Sequence, residues 1–131
     1  MKQLKLDDLA KFLTKDRKKR IEHVLSNRTR AISILLEDIY QGHNISAVLR
    51  TCDNLGIQDI HIFQDGNKTA LSKGISLGSE KWVSLHIKDR AISKKVYIDN
   101  LKKKGYKIIS TVSSSKKGSI NLETTKFPKK I

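Results

Sequence analysis

The sequence predicts an α/β domain: a parallel β-sheet flanked by helices and preceded by a basic N-terminal helix. Short apolar runs typical of buried strands alternate along the chain with segments whose apolar residues recur at helical spacing. One strand–helix–strand succession, residues 31–63, spans about 33 residues, the size of a βαβ unit with parallel strands. The chain of 131 residues is long enough for one domain with its own core.

Residues 4–28 have helical apolar spacing and predict one or two helices, the second capped by Thr14 or Asp16. The stretch KDRKKR, at 15–20, opens that second helix with five basic residues. Basic residues at a helix start oppose the macrodipole, so this placement favours a binding role over a stabilising one. Arg17, Arg20 and Arg28 fall within roughly 80° of one another on a continuous helix and flank its apolar stripe, which also suits binding. The alternative is that these three side chains extend around a packing face.

The segment 31–39, AISILLEDI, is a short apolar run that predicts a buried strand. The segment 42–56 predicts a helix, with Asn44 suited to the N-cap and Gly56 to the position after the C-cap. A second strand is predicted at 59–63. These three elements form the predicted βαβ unit.

The rest of the chain continues the alternation. Residues 64–78 have the glycines and small polar residues of a loop. Strands are predicted at 81–87 and 106–112, with an amphipathic helix at 93–105 between them. The remaining residues, 113–131, are polar and rich in lysine.

Positive charge is segregated along the chain. The formal net charge is +14, of which residues 1–30 contribute +6 and residues 65–131 contribute +11. The middle, residues 31–64, has a net charge of −3, and Arg50 is its only basic residue. An excess of this kind favours nucleic acid or another anionic surface as partner. The alternative is a merely lysine-rich protein.

Several classes of site are absent from the sequence. It has no Walker A loop, no G-x-G-x-x-G and no H-E-x-x-H. The histidines lie on separate predicted elements and Cys52 is the only cysteine, so no metal site is predicted. We expect His61 to be structural and Cys52 to be a core residue. A single cysteine and the lack of a long apolar run favour a cytoplasmic protein.

Asn44 and Arg50 lie six residues apart, which on a helix separates their directions by roughly 120°. They can converge only if Asn44 lies at the cap, ahead of the first turn. Arg50 lies nearly opposite the apolar stripe, where its planar donors suit a phosphate or a carboxylate. The residues alone leave open a helix cap and an unrelated surface arginine.

GHNISAVLRTCDNLGI, at 42–57, resembles the first motif of the SpoU-type RNA 2′-O-ribose methyltransferases of the SPOUT superfamily. KKRIEHVLSNRT, at 18–29, resembles the basic N-terminal helix of the branch that methylates a D-loop guanosine of tRNA. GSEKWVSL at 78–85 and LKKKGYKI at 101–108 are similar to that branch as well. The resemblance covers nearly the whole chain.

The resemblance implies a parallel-sheet α/β domain completed by a deep trefoil knot, S-adenosylmethionine as methyl donor, and a homodimer. It implies that Arg50 is the main catalytic residue, engaged by RNA phosphate and activating the ribose 2′-hydroxyl, and that Asn44 supports the geometry of the site. It also implies a set of basic tRNA contacts: Arg17, Arg20, Arg28, His43 and Lys102.

The sequence departs from the family in one respect. The family's second and third motifs, which form the knot and most of the cofactor pocket, are missing from these 131 residues. We therefore expect a basic helical extension at 1–30 and a truncated methyltransferase domain at 31–131, with no cofactor-binding residues and no measurable S-adenosylmethionine binding by this chain alone. Ile131 resembles the first residue of an unfinished strand. Open alternatives are a ribosomal RNA 2′-O-methyltransferase, a non-catalytic RNA-binding module and a structural domain without a ligand.

Overall fold

The computed structural model describes residues 10–63, 73–88, 93–113, 116–121, 123–127 and 129–131. Its elements in chain order are α1 Lys15–Ser26, β1 Thr29–Glu37, α2 Gly42–Asn54, β2 Ile57–Phe63, the short α3 Lys73–Ser76, a 3₁₀ turn Ser79–Lys81, β3 Ser84–Lys88 and α4 Lys94–Lys103. The predicted helical residues before 10 and most of the predicted loop, 64–72, lie outside the described residues.

The three strands form one parallel sheet in the order β1-β2-β3, which confirms the predicted fold class. The central strand β2 is buried along almost its whole length. Ile60 and Ile62 belong to the core that packs against α2, whereas His61 and Phe63 contact Tyr97 of α4. Because successive strand residues point to opposite faces, α2 and α4 cover opposite faces of the sheet.

Helix α1 begins as predicted, with Thr14 at the N-cap. The Thr14 hydroxyl accepts a hydrogen bond of 3.3 Å from the backbone N–H of Arg17. No residue of the helix is fully buried: Ile21 and Val24 are half-buried, and the other residues are exposed. Its C-cap is Asn27, and β1 begins two residues later.

Strand β1 begins two residues before the predicted start and ends two residues before the predicted end. It begins at Thr29 because that residue pairs in register with Ile57 and donates a 2.8 Å hydrogen bond to the Gly56 carbonyl. It ends at Glu37 because Asp38 adopts a positive φ of 49°, which breaks the extended backbone.

The predictions for the second half of the chain were less accurate. Part of the predicted loop is helical, in α3. Strand β3 begins three residues after the predicted start because residues 79–81 form a 3₁₀ turn. The predicted helix is confirmed as α4, and Gly105 follows it with a φ of 91°.

The prediction of a strand at residues 106–112 was wrong. A strand requires a ladder of backbone hydrogen bonds to a neighbouring strand. Here the Tyr106 N–H donates back to the Leu101 carbonyl of α4 at 3.2 Å and the Lys107 N–H donates to the Lys130 carbonyl at 3.1 Å, which do not form a ladder. Ile131, and not residues 106–112, lies beside β1. The Ile131 N–H donates to the Ala31 carbonyl at 2.8 Å, and the Ile131 carbonyl accepts from the Ser33 N–H at 2.7 Å. These two bonds have the pattern of a residue paired with a parallel strand.

Candidate functional site

Helix α2 begins at Gly42, the first residue of the predicted helical segment, but two residues before the predicted N-cap, and this changes the position of Asn44. The N-cap is Gln41, whose side chain makes no capping hydrogen bond. The N–H of Asn44 donates to the Gln41 carbonyl at 3.0 Å, so Asn44 lies in the first turn of the helix. The prediction of Asn44 as N-cap was wrong because Gly42 and His43 are already helical. Gly56, with a φ of 71°, ends the helix as predicted.

The position of Asn44 decides which side chains share a face of α2. Asn44 and Arg50 both lie within the helix, so they project about 120° apart and α2 alone does not bring them together. His43 and Arg50 are seven residues apart and project within about 20° of each other. Both are exposed. The sequence shows this spacing, but only the helix start establishes that both residues lie on the helix.

The opposite face of α2 anchors the helix in the core. Ile45 and Leu49 are fully buried, and Cys52 is nearly so, as we expected for a core residue. Burial raises the pKa of the Cys52 thiol, which keeps it in the uncharged form. This anchored face holds Arg50 on the solvent side of the helix.

Charged side chains cluster where β1 ends and α4 begins. Lys94 Nζ donates to Glu37 Oε1 at 2.8 Å and to Asp38 Oδ2 at 2.9 Å. The hydrogen bond to Glu37, followed by that to Asp38, raises the pKa of Lys94. In open parallel sheets, ligands bind in the crevice outside the carboxyl ends of the strands. Sequence spacing does not reveal this cluster, because Lys94 and Glu37 are far apart in the chain.

The residues predicted to contact RNA lie on several elements. Arg17 and Arg20 are exposed on α1, and His43 is exposed on α2. Lys102 is exposed in the last turn of α4, with its Nζ 3.6 Å from Asp99 Oδ1. These elements lie at different positions in the fold, so the charges form a distributed surface and not one local cluster.

Arg28 differs from these residues. It lies beyond the C-cap of α1, so it does not share a helical face with the arginines of that helix. Its side chain is only 6% exposed, and Nη2 donates to Asp53 Oδ1 on α2. The predicted arrangement of Arg17, Arg20 and Arg28 on one helix face was therefore wrong.

A network of polar side chains occupies the sheet face under α4. His61 stacks on its register partner His86 at 4.6 Å between ring centroids, and His61 Nδ1 lies 2.6 Å from the Tyr97 hydroxyl oxygen. His86 Nε2 lies 2.9 Å from Asp59 Oδ1, and Arg30 Nη1 donates to both oxygens of that carboxylate at 2.5 and 2.6 Å. The described structure thus agrees with the expected structural role of His61.

Burial and neighbouring charges shift the pKa values of this network. Burial, followed by the charge of His86, lowers the pKa of His61 from 6.5 to about 4. Burial alone would raise the pKa of Asp59, but hydrogen bonds from His86 and Arg30 outweigh it and hold that pKa below its ordinary value. His61 is therefore neutral near pH 7, while Asp59 is ionised.

Acidification is expected to destabilise the fold through His61. Between pH 6.5 and about 4 the unfolded chain binds a proton at this residue that the folded chain does not. The contribution of His61 to the free energy of unfolding is therefore fully present above pH 6.5 and is lost as the pH decreases towards 4. The expected loss is about 1–3 kcal/mol in the free energy of unfolding. Urea unfolding at pH 7 and pH 5 measures it.

The control is His61→Gln, which has no group that titrates in this range. This variant should lose less stability between the two pH values than the wild type. An equal loss in both proteins would contradict the assignment of the effect to His61.

The described part of the chain contains no group of three His, Cys, Asp or Glu side chains placed to hold a metal ion. None of the helices in that part is long and apolar enough to cross a membrane.

Comparisons with known proteins connect this geometry to a family. Residues 31–131 match the SpoU rRNA Methylase family. The chain is 44% identical over 115 residues to a protein of Borreliella burgdorferi named tRNA (guanosine(18)-2′-O)-methyltransferase, covering 88% of this chain and 50% of that protein. It is 31% identical over 114 residues to the protein of the same name from Aquifex aeolicus, covering 86% and 52%.

A solved structure is similar as well: the crystal structure of the A. aeolicus TrmH/SpoU tRNA modifying enzyme. It matches with a TM-score of 0.61 and 29% identity, over 70% of this chain and 45% of that chain. The chain thus spans about half the length of the curated relatives it matches. Because the family match extends over residues 31–131 of the 131 residues, this chain belongs to the SpoU rRNA methylase family.

Proposed function

We propose that this protein is an RNA 2′-O-ribose methyltransferase whose substrate is tRNA and whose target is a D-loop guanosine. The observation that supports this most directly is the placement of Arg50. It is exposed on a helix whose opposite face is fixed in the core, within the segment that matches a methylase family. The relatives named tRNA (guanosine(18)-2′-O)-methyltransferase support tRNA as the substrate.

In this proposal Arg50 binds an RNA phosphate and helps to activate the ribose 2′-hydroxyl. A ribose hydroxyl is a weak nucleophile at neutral pH and needs proton removal or stabilisation of the developing charge. The guanidinium has a fixed fork of donors that suits phosphate geometry and stays charged at any physiological pH. Asn44 supports the geometry of the site from the first turn of α2, on a different side of the helix from Arg50.

The tRNA would bind the exposed basic surface. The charge of +14 lies mainly outside the segment that contains Arg50, so it can attract the polyanion around the catalytic helix. His43 shares a helical face with Arg50 and would contact the backbone of the same nucleotide region. The remaining proposed contacts from exposed side chains are Arg17, Arg20 and Lys102.

Methyl transfer by this family requires a methyl donor, for which we propose S-adenosylmethionine. The described residues at the carboxyl edge of the sheet do not fit this group. Glu37, Asp38 and Lys94, at the carboxyl edge of the sheet, are exposed and paired with one another, and so do not form an enclosed donor site. No cofactor-binding residue is therefore assigned and no reaction step is derived through the donor.

We further propose that residues 1–30 are a tRNA-binding extension of a methyltransferase domain beginning at 31, and that the protein acts as a homodimer in the cytoplasm.

A methyl-transfer assay tests the proposed function. The protein expressed from its complete reading frame is incubated with tritiated S-adenosylmethionine and a tRNA transcript, and the modified nucleotide is mapped. We expect label at a D-loop guanosine and none when that guanosine carries a 2′-deoxyribose, because the acceptor oxygen is then absent. Labelling of ribosomal RNA alone would favour the ribosomal alternative. Salt-dependent tRNA binding without label would identify a non-catalytic RNA-binding module.

A further inference from the structure

The segment between α1 and β1 packs tightly against the end of α2. Thr29 N–H donates to the Gly56 carbonyl at 2.8 Å. A Cβ atom at Gly56 would lie 2.5 Å from the Asn27 carbonyl oxygen, closer than real Cβ contacts. Together with the φ of 71° at Gly56, this close approach requires glycine at the turn that ends α2. The two backbones therefore meet directly at this point.

Arg28 adds a side-chain contact to this junction. Its Nη2 donates to Asp53 Oδ1, and the two side chains are 6% and 21% exposed. Among the described residues Asp53 is the only hydrogen-bond partner of the guanidinium, since Nε and Nη1 are buried without one. A buried charge depends strongly on its counter-ion, because removal of either member leaves the other desolvated and unpaired. A side chain enclosed in this way does not present its charge to a phosphate.

Within the ion pair between Arg28 and Asp53, Asp53 lies close to Arg50 in the chain. Asp53 follows Arg50 by three residues on α2, so the two side chains are neighbours on the helix surface, about 60° and 4.5 Å of rise apart. The ion pair therefore joins the segment after α1 to the turn of α2 that follows Arg50.

We propose that Arg28 is a positioning residue: through Asp53 it fixes the helix containing Arg50 relative to the segment that leads from the basic helix α1. This rests on the proposed function, in which α1 binds tRNA and Arg50 acts on the ribose. Resemblance to the family assigns Arg28 to direct RNA contact, but its burial and its pairing with Asp53 favour the positioning role. With the two segments fixed relative to each other, a tRNA bound at α1 would place its target ribose at Arg50.

The test compares Arg28→Ala, Asp53→Ala, the double variant and the charge swap Arg28→Asp with Asp53→Arg, in the protein expressed from its complete reading frame. Single-turnover methyl transfer at saturating tRNA and the salt dependence of tRNA binding are measured for each. We expect both single variants to lower the rate by roughly tenfold or more, since small misplacements of reacting groups have large effects. The double variant should be no slower than either single one, and the swap should recover part of the rate.

The salt dependence separates positioning from RNA contact. Loss of a phosphate contact lowers the slope of log affinity against log salt by about 1. We expect Arg20→Ala to show that decrease, while Arg28→Ala and Asp53→Ala keep the wild-type slope. A lower slope in Arg28→Ala alone, or a wild-type rate in Asp53→Ala, would overturn the proposal. If the alanine variants do not fold, the isosteric Asp53→Asn is held to the same outcomes, and the charge-retaining Arg28→Lys should lose less of the rate than Asp53→Asn.

If the proposed methyltransferase function is wrong, the experiment gives a result that differs from failure of the positioning role. In that case the wild-type protein transfers no methyl group to any RNA. The role of Arg28 is then decided by the salt slope together with amide hydrogen exchange of α2. An unchanged slope with faster exchange in both single variants supports the positioning role, and wild-type exchange in both overturns it.

Discussion

Replacement of Arg50 by alanine is expected to lower the rate of the proposed methyl transfer to tRNA by roughly 10²-fold or more, the scale of losing a group that assists proton transfer. Arg50 is exposed on α2 and does not belong to the core, so its loss should leave the fold intact. The assay is single-turnover transfer from tritiated S-adenosylmethionine at saturating tRNA, with thermal unfolding measured on the same samples.

Two further variants sharpen this experiment. Arg50→Lys keeps the charge but loses the planar fork of donors, so we expect it to recover little of the rate if bidentate phosphate contact is required. Asn54→Ala removes another exposed polar side chain from the same helix, one turn later, and should retain the wild-type rate. Undiminished turnover in Arg50→Ala would remove Arg50 from the catalytic role.

Replacement of Leu49 by alanine is expected to lower the free energy of unfolding by about 2–5 kcal/mol. Leu49 is 0% exposed and lies in the cluster between α2 and the sheet, so truncation leaves a cavity beneath the helix that contains Arg50. Chemical denaturation of the 131-residue chain, followed by circular dichroism, gives the free energy directly.

The matched control is Leu55→Ala. Leu55 follows α2 and is 68% exposed, so the same chemical change should alter stability by no more than about 0.5 kcal/mol. Equal destabilisation by the two substitutions would contradict the placement of Leu49 in the core and of Leu55 on the surface.

The sequence was a good guide to the elements around β2. Apolar periodicity identified the βαβ unit, and turn chemistry identified Gly56, because both patterns depend on residues close together in the chain. The resemblance identified the family, which the match over residues 31–131 confirmed. Apolar periodicity was a poorer guide to residues 106–112, where it predicted a strand that the structure does not contain. A strand exists only if a neighbouring backbone pairs with it, and residues close in sequence do not determine that.

The candidate site shows the same division. From the sequence, Arg50 could be placed opposite the apolar stripe, and the structure shows it exposed with Leu49 buried. The direction of Asn44 could not be decided, because it depends on where the helix starts, and the N-cap is Gln41. The pairing of Lys94 with Glu37 joins residues far apart in the chain, so spacing contained no information about it.

The sequence by itself determined the α/β class, the segregation of positive charge around a neutral middle, and a lone arginine on the polar side of a core helix. These properties depend on composition and local periodicity, which the chain specifies wherever it folds. Only the tertiary structure decided which charged side chains are exposed and unpaired, and which are buried or held in ion pairs. It buried Arg28 against Asp53, paired His86 with Asp59, and left Arg50 exposed. The physical reason is that desolvation and ion pairing depend on neighbours brought together by the sheet register and helix docking.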